Sequence, residues 1–188
     1  MNNTHYVYLP GLGDGLFNQI RRTMLIGWKL RSIDVSFVAL NWADKDELHT
    51  AKYNRALMHI KQYEDRKLIL IGESAGGSMA IRLFLESDTK IDDVITVCGY
   101  NHGAKYIDKR HDHVHPAFIP NVEKVDELLR TCDMGKLGSI TSYYSPADGT
   151  VGFARTKLKN ATLIKLPSLT HVAAIGYFLL ATSIRGIR

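Results

Sequence analysis

Apolar positions along the chain follow two alternating patterns. Short runs rich in β-branched and aromatic residues fall at 5–9 (HYVYL), 34–40 (DVSFVAL), 68–71 (LILI), 93–98 (DVITVC), 139–144 (SITSYY) and 161–166 (ATLIKL). Runs this short, with few charges inside, predict strands buried on both faces. Between them the period lengthens. In 16–31 the apolar residues Ile20, Met24, Ile26 and Leu30 recur at helical spacing, and 48–63, 78–86, 122–131 and the segment after His171 also predict helices. Alternating strands and helices predict an α/β fold: a doubly wound, mainly parallel sheet of about six strands with helices on both faces. No linker, repeat or low-complexity tract interrupts the pattern, so residues 1–188 read as one domain with a small insertion around 100–120.

The third strand runs into Gly72-Glu73-Ser74-Ala75-Gly76 and then a helix. This is the G-x-S-x-G pattern of a nucleophile elbow, where glycines flank a serine because strand and helix approach too closely for side chains. The first strand leads into Pro10-Gly11-Leu12-Gly13-Asp14-Gly15, the fifth into Ser145-Pro146-Ala147-Asp148-Gly149-Thr150, and the sixth into a loop carrying His171. Parallel strands deliver the loops at their carboxyl ends to one edge of the sheet, where ligands bind. The order serine, acid, histidine, with each motif after a strand, resembles the α/β-hydrolase superfamily over nearly the whole chain.

That resemblance implies Ser74 as nucleophile, His171 as general base and Asp148 as the acid that orients the imidazole. It implies oxyanion donors at the backbone N–H groups of Ala75 and Leu12, with Gly13 the alternative to Leu12, because Pro10 stands where many relatives have the histidine of a His-Gly pair. Asp148 has a plainer reading as a turn residue in Asp-Gly, and Asp133, after a helix, is a weaker rival for the acid. Glu73 reads as a supporting or surface group. The insertion at 100–120 would be a small cap over an open site, with Leu16, Asn101, His102 and Phe118 as pocket walls. The activity implied is cleavage of a small-molecule carboxylic ester or thioester through an acyl-enzyme. An acyltransferase with the same triad and a non-catalytic binding or sensing module of the same fold are the alternatives.

Composition narrows the remaining classes. The net charge of +5 is scattered, with no basic run or aromatic-basic interleaving, so no nucleic-acid partner is expected. The longest apolar run, 172–181, falls well short of a bilayer span. The two cysteines, Cys98 and Cys132, suggest buried or free thiols in a reducing compartment, and no signal peptide is evident, so a cytoplasmic location is expected. No cofactor is expected. His111, His113 and His115 would share one face if extended, but no further Cys or Glu cluster accompanies them, and no metal site is assigned.

Overall fold

The computed structural model describes residues 3–185, with side chains as far as residue 182. In chain order the elements are β1 (Thr4–Leu9), α1 (Leu16–Lys29), β2 (Val35–Phe37), α2 (His49–Ile60), β3 (Lys67–Glu73), α3 (Ala75–Glu86) and β4 (Asp93–Val97). They continue as α4 (His111–Val114), α5 (Phe118–Thr131), β5 (Ile140–Tyr144), α6 (Phe153–Thr156), β6 (Thr162–Lys165) and α7 (His171–Arg185). The strands form one six-stranded, all-parallel sheet in the order β2-β1-β3-β4-β5-β6.

The period-2 alternation of the central strands sorts their side chains into two cores. Val7, Leu9, Leu68, Leu70 and Val94 face one layer, where they pack with Tyr53 and Ile60 of α2, Met79 and Leu83 of α3, and Val122 and Val125 of α5. Tyr8, Ile69, Ile71, Ile95 and Val97 face the other, against Leu25 and Trp28 of α1 and Ala174 and Phe178 of α7. The fully buried Trp28 donates its indole N–H to the Leu179 carbonyl at 2.8 Å, which fixes α1 against α7. These two helices border the site described below.

Several boundaries differ from those read off the sequence. β2 is only three residues long, because the chain after Phe37 leaves the sheet edge, although Val38 and Leu40 remain buried in the core beneath α2. The insertion at 100–120 is not a loop throughout, since it contains a 3-10 turn (Ala104–Tyr106) and α4. It packs on α5, where Asp126 accepts the backbone N–H groups of Gly103 and Ala104 at 2.7 and 2.8 Å. Among the described residues no helix is long and apolar enough to cross a membrane.

Candidate active site

β3 and α3 meet with Ser74 alone between them, a sharp turn at this edge of the sheet. Ser74 sits at φ 47°, ψ −122°, a conformation costly for a residue with a Cβ. Backbone bonds hold it there: Ser74 N–H donates to the Val97 carbonyl at 3.0 Å, and its own carbonyl accepts from Tyr100 N–H at 2.8 Å and Gly77 N–H at 3.0 Å. The flanking glycines are sterically required. A Cβ on Gly76 would lie 2.1 Å from the Leu9 carbonyl oxygen, and one on Gly72 would lie 2.4 Å from that of Gly76.

His171 Nε2 lies 2.9 Å from Ser74 Oγ, and His171 Nδ1 lies 2.8 Å from Asp148 Oδ2. The other oxygen, Asp148 Oδ1, accepts the N–H groups of Thr150 and Val151 at 2.9 and 3.0 Å. Burial alone would raise the Asp148 carboxyl, but the hydrogen bond from His171 and those from the two amides outweigh it and hold it below the usual carboxylate range. An ionised Asp148 only accepts hydrogen bonds, so Nδ1 carries the imidazole proton and Nε2 is free to accept the serine proton. Buried Ser145 accepts the Leu169 N–H at 2.9 Å and donates to the Pro167 carbonyl at 3.1 Å, tying the Asp148 loop to the His171 loop. His171 itself is the first residue of α7, not part of the preceding loop.

Beneath the triad lies Cys98, which is fully buried. Burial first, then the charge and hydrogen bond of Asp148, push its thiol up to about 12. Donor atoms of Cys98, Asp148 and His171 lie within 4.8 Å of one another, close enough for a metal. A thiol held protonated is a poor ligand, and Asp148 and His171 are bonded to each other, so the geometry favours the triad over a metal site. His111, His113 and His115 do not converge. The helical turn of α4 stacks the rings of His111 and His115 at 5.7 Å and sends His113 to the exposed side.

A cavity of about 180 Å³ opens at Ser74 and His171. Its walls are Leu12, Phe17, Ile20 and Met24 on one side and Val172, Ile175, Gly176 and Leu179 on the other, and Arg21 and Glu73 add polar groups. No residue of 100–120 lines it. The expected walls therefore need correction. Leu16 is exposed one position before Phe17, while Asn101 and Phe118 are buried within the fold. Asn101 Nδ2 donates to the Thr156 carbonyl at 2.6 Å, and Phe118 packs edge-on against Trp42 and Tyr100. His102 borders a separate groove of about 930 Å³ beside α5, which contains no triad residue.

Leu12 and Ala75 flank the serine. Ala75 opens α3, so its N–H has no acceptor within the helix and lies at the positive end of the helix dipole. Of the two readings of Glu73, the supporting one holds: it is fully buried, because it ends β3 on the same face as Ile69 and Ile71, toward α1 and under the β1–α1 loop. There it pairs with Arg21, accepts the Tyr8 hydroxyl, and accepts the Gly11 N–H at 3.1 Å.

Sequence comparison finds no matching family model and no matching curated protein. Solved structures do match. The esterase domain from a Rhodothermus marinus protein superposes with a TM-score of 0.65 at 14% identity, covering 99% of this chain and 86% of that one. The chain has the α/β-hydrolase fold. Est1E from Butyrivibrio proteoclasticus gives a TM-score of 0.64 at 11% identity, covering 98% and 88% of the two chains. The ydeN gene product of B. subtilis gives 0.59 at 13% identity, covering 96% and 98%.

Proposed function

We propose that the protein is a serine hydrolase that cleaves carboxylic esters, or thioesters, through an acyl-enzyme. The observation that carries this reading is the continuous hydrogen-bond relay from Ser74 through His171 to Asp148, opening into an apolar cavity. As Ser74 Oγ attacks the acyl carbon, its proton passes to His171 Nε2, and the imidazolium is stabilised by Asp148. The backbone N–H groups of Ala75 and Leu12 are the candidate donors to the tetrahedral oxyanion. His171 then gives its proton to the departing alcohol, and water attacks the acyl-serine with His171 again as base. The apolar walls from α1 and α7 suit an unbranched acyl chain better than a charged one.

Pre-steady-state hydrolysis of p-nitrophenyl butyrate tests this directly. A burst of one nitrophenol per protein, absent in Ser74→Ala, is expected of an acyl-enzyme. A linear time course with no dependence on Ser74 would contradict it. Adding an alcohol to the same assay separates hydrolase from acyltransferase: butyrate as the main product supports hydrolysis, and the alkyl butyrate supports transfer. A binding module of the same fold would give neither product.

A further inference from the structure

We propose that Arg21 and Glu73 are positioning residues for the oxyanion loop, their ion pair fixing the backbone of residues 10–15 against the nucleophile. The inference rests on the ester-hydrolase reading above and adds to it the device that aligns the loop donor.

The loop cannot align itself. Three of its six residues are glycines, and two of these, Gly13 at φ 91° and Gly15 at φ 63°, use backbone conformations open to few other residues. Such a segment has many accessible shapes, whereas oxyanion donors work by being held in place before charge develops. Side chains supply what the backbone lacks. Arg21 Nη1 donates to the Gly13 carbonyl at 2.7 Å and to Asn18 at 3.0 Å, and Nη2 donates to the Leu12 carbonyl at 3.0 Å while pairing with Glu73. Glu73 Oε1 also accepts the Gly11 N–H, and Oε2 accepts the Tyr8 hydroxyl. The Gly11 N–H and the Leu12 carbonyl belong to the peptide planes immediately before and after the one bearing the Leu12 N–H. Fixing both planes therefore fixes that donor.

The pairing also has an electrostatic consequence. Glu73 directly precedes the nucleophile, so its carboxylate refers the loop to Ser74's own backbone. Left unpaired, the same charge would oppose a negative charge developing beside it, and the guanidinium cancels it. Only a planar fork with several donors can hold two carbonyls, an amide and a carboxylate together, which a lysine cannot do. Tyr8 remains a donor, since burial and then the Glu73 charge push its phenol well above its usual value.

The test compares the full-length wild type with Arg21→Gln/Glu73→Gln, which removes both charges together, and with Arg21→Lys. Active sites are counted by complete fluorophosphonate labelling. Values of kcat and KM for p-nitrophenyl butyrate, and inhibition by an aryl trifluoromethyl ketone that forms an oxyanion adduct, are then taken per labelled site. In the double variant kcat should fall about 100-fold and the ketone should weaken by a similar factor, with KM changed by less than about threefold. Arg21→Lys should recover only part of the loss. Values of kcat and ketone affinity within about threefold of wild type would overturn the proposal, leaving the pair a purely structural contact. If the double variant does not fold, Arg21→Lys, which keeps the charge beside Glu73 but loses the fork that holds the Leu12 and Gly13 carbonyls, carries the test alone; a several-fold loss in the same two quantities supports the proposal, and values within about threefold of wild type overturn it. Failure of the underlying reading looks different: wild type that neither labels nor releases nitrophenol overturns both.

Discussion

Gly176→Leu probes the cavity beside Ser74, and the acyl site proposed there, with the least disturbance elsewhere. Gly176 lies on α7 and lines the cavity, and a Cβ added there meets nothing within 4 Å. Replacing glycine inside a helix should raise stability by roughly 0.8 kcal/mol, so the fold is not at risk. The new side chain grows into space that an acyl chain would occupy. Each methylene buried in an apolar pocket contributes about 0.8 kcal/mol, so kcat/KM should rise about fourfold per carbon in the wild type until the cavity is full. A leucine that takes the room of about three methylenes forfeits about 2.4 kcal/mol for a hexanoyl chain and little for an acetyl group. The ratio of hexanoate to acetate activity should therefore drop about 60-fold. The assay is kcat/KM over the p-nitrophenyl esters from acetate to decanoate. An unchanged ratio in the variant would show that the acyl chain lies elsewhere, and an equal loss on every ester would point to damage at the triad.

Other consequences follow from the protonation states. Asp148→Asn should lower kcat by about 10⁴-fold, because the amide favours the wrong imidazole tautomer; a loss under tenfold in steady-state assays would contradict the role given to Asp148. The folded Asp148 carboxyl is held below its ordinary value, so its contribution to stability is complete above the unfolded value of about 3.9 and is lost as pH falls through the lower folded value. Urea unfolding between pH 5 and 2 should show a shallower decline for Asp148→Asn than for wild type, and parallel curves would refute this. Cys98, with its thiol near 12 and fully buried, should resist iodoacetamide at pH 8, while the less buried Cys132 is alkylated first. Peptide mass mapping that finds Cys98 modified first in folded protein would contradict the buried, protonated thiol.

The layer architecture was legible because its signals are local. Runs such as 68–71 and 93–98 have the length and apolar character of buried strands, and their alternation with longer helical periods implies a parallel sheet. The grouping of Ser74, Asp148 and His171 was legible for the same reason, since parallel strands deliver their following loops to one edge. The cavity walls were not. The insertion at 100–120 drew attention as a cap, but it packs on α5, on the opposite face of the sheet from α1 and α7. A usable signal was present: Phe17, Ile20 and Met24, and Val172, Ile175 and Leu179, are i, i+3, i+7 stripes on the helix that follows residues 10–15 and on the helix that begins at His171. The burial of Glu73 had a local signal, its place two and four residues after Ile71 and Ile69 on the same strand face, but its partner Arg21 is distant in sequence and gave none.

Whether Ser74 is an activated nucleophile is read from intact mass after incubation with a fluorophosphonate, for wild type and for Ser74→Ala. One covalent adduct is expected on the wild type and none on the variant. A folded wild-type protein that stays unmodified, or an adduct that survives in Ser74→Ala, would contradict that role for Ser74.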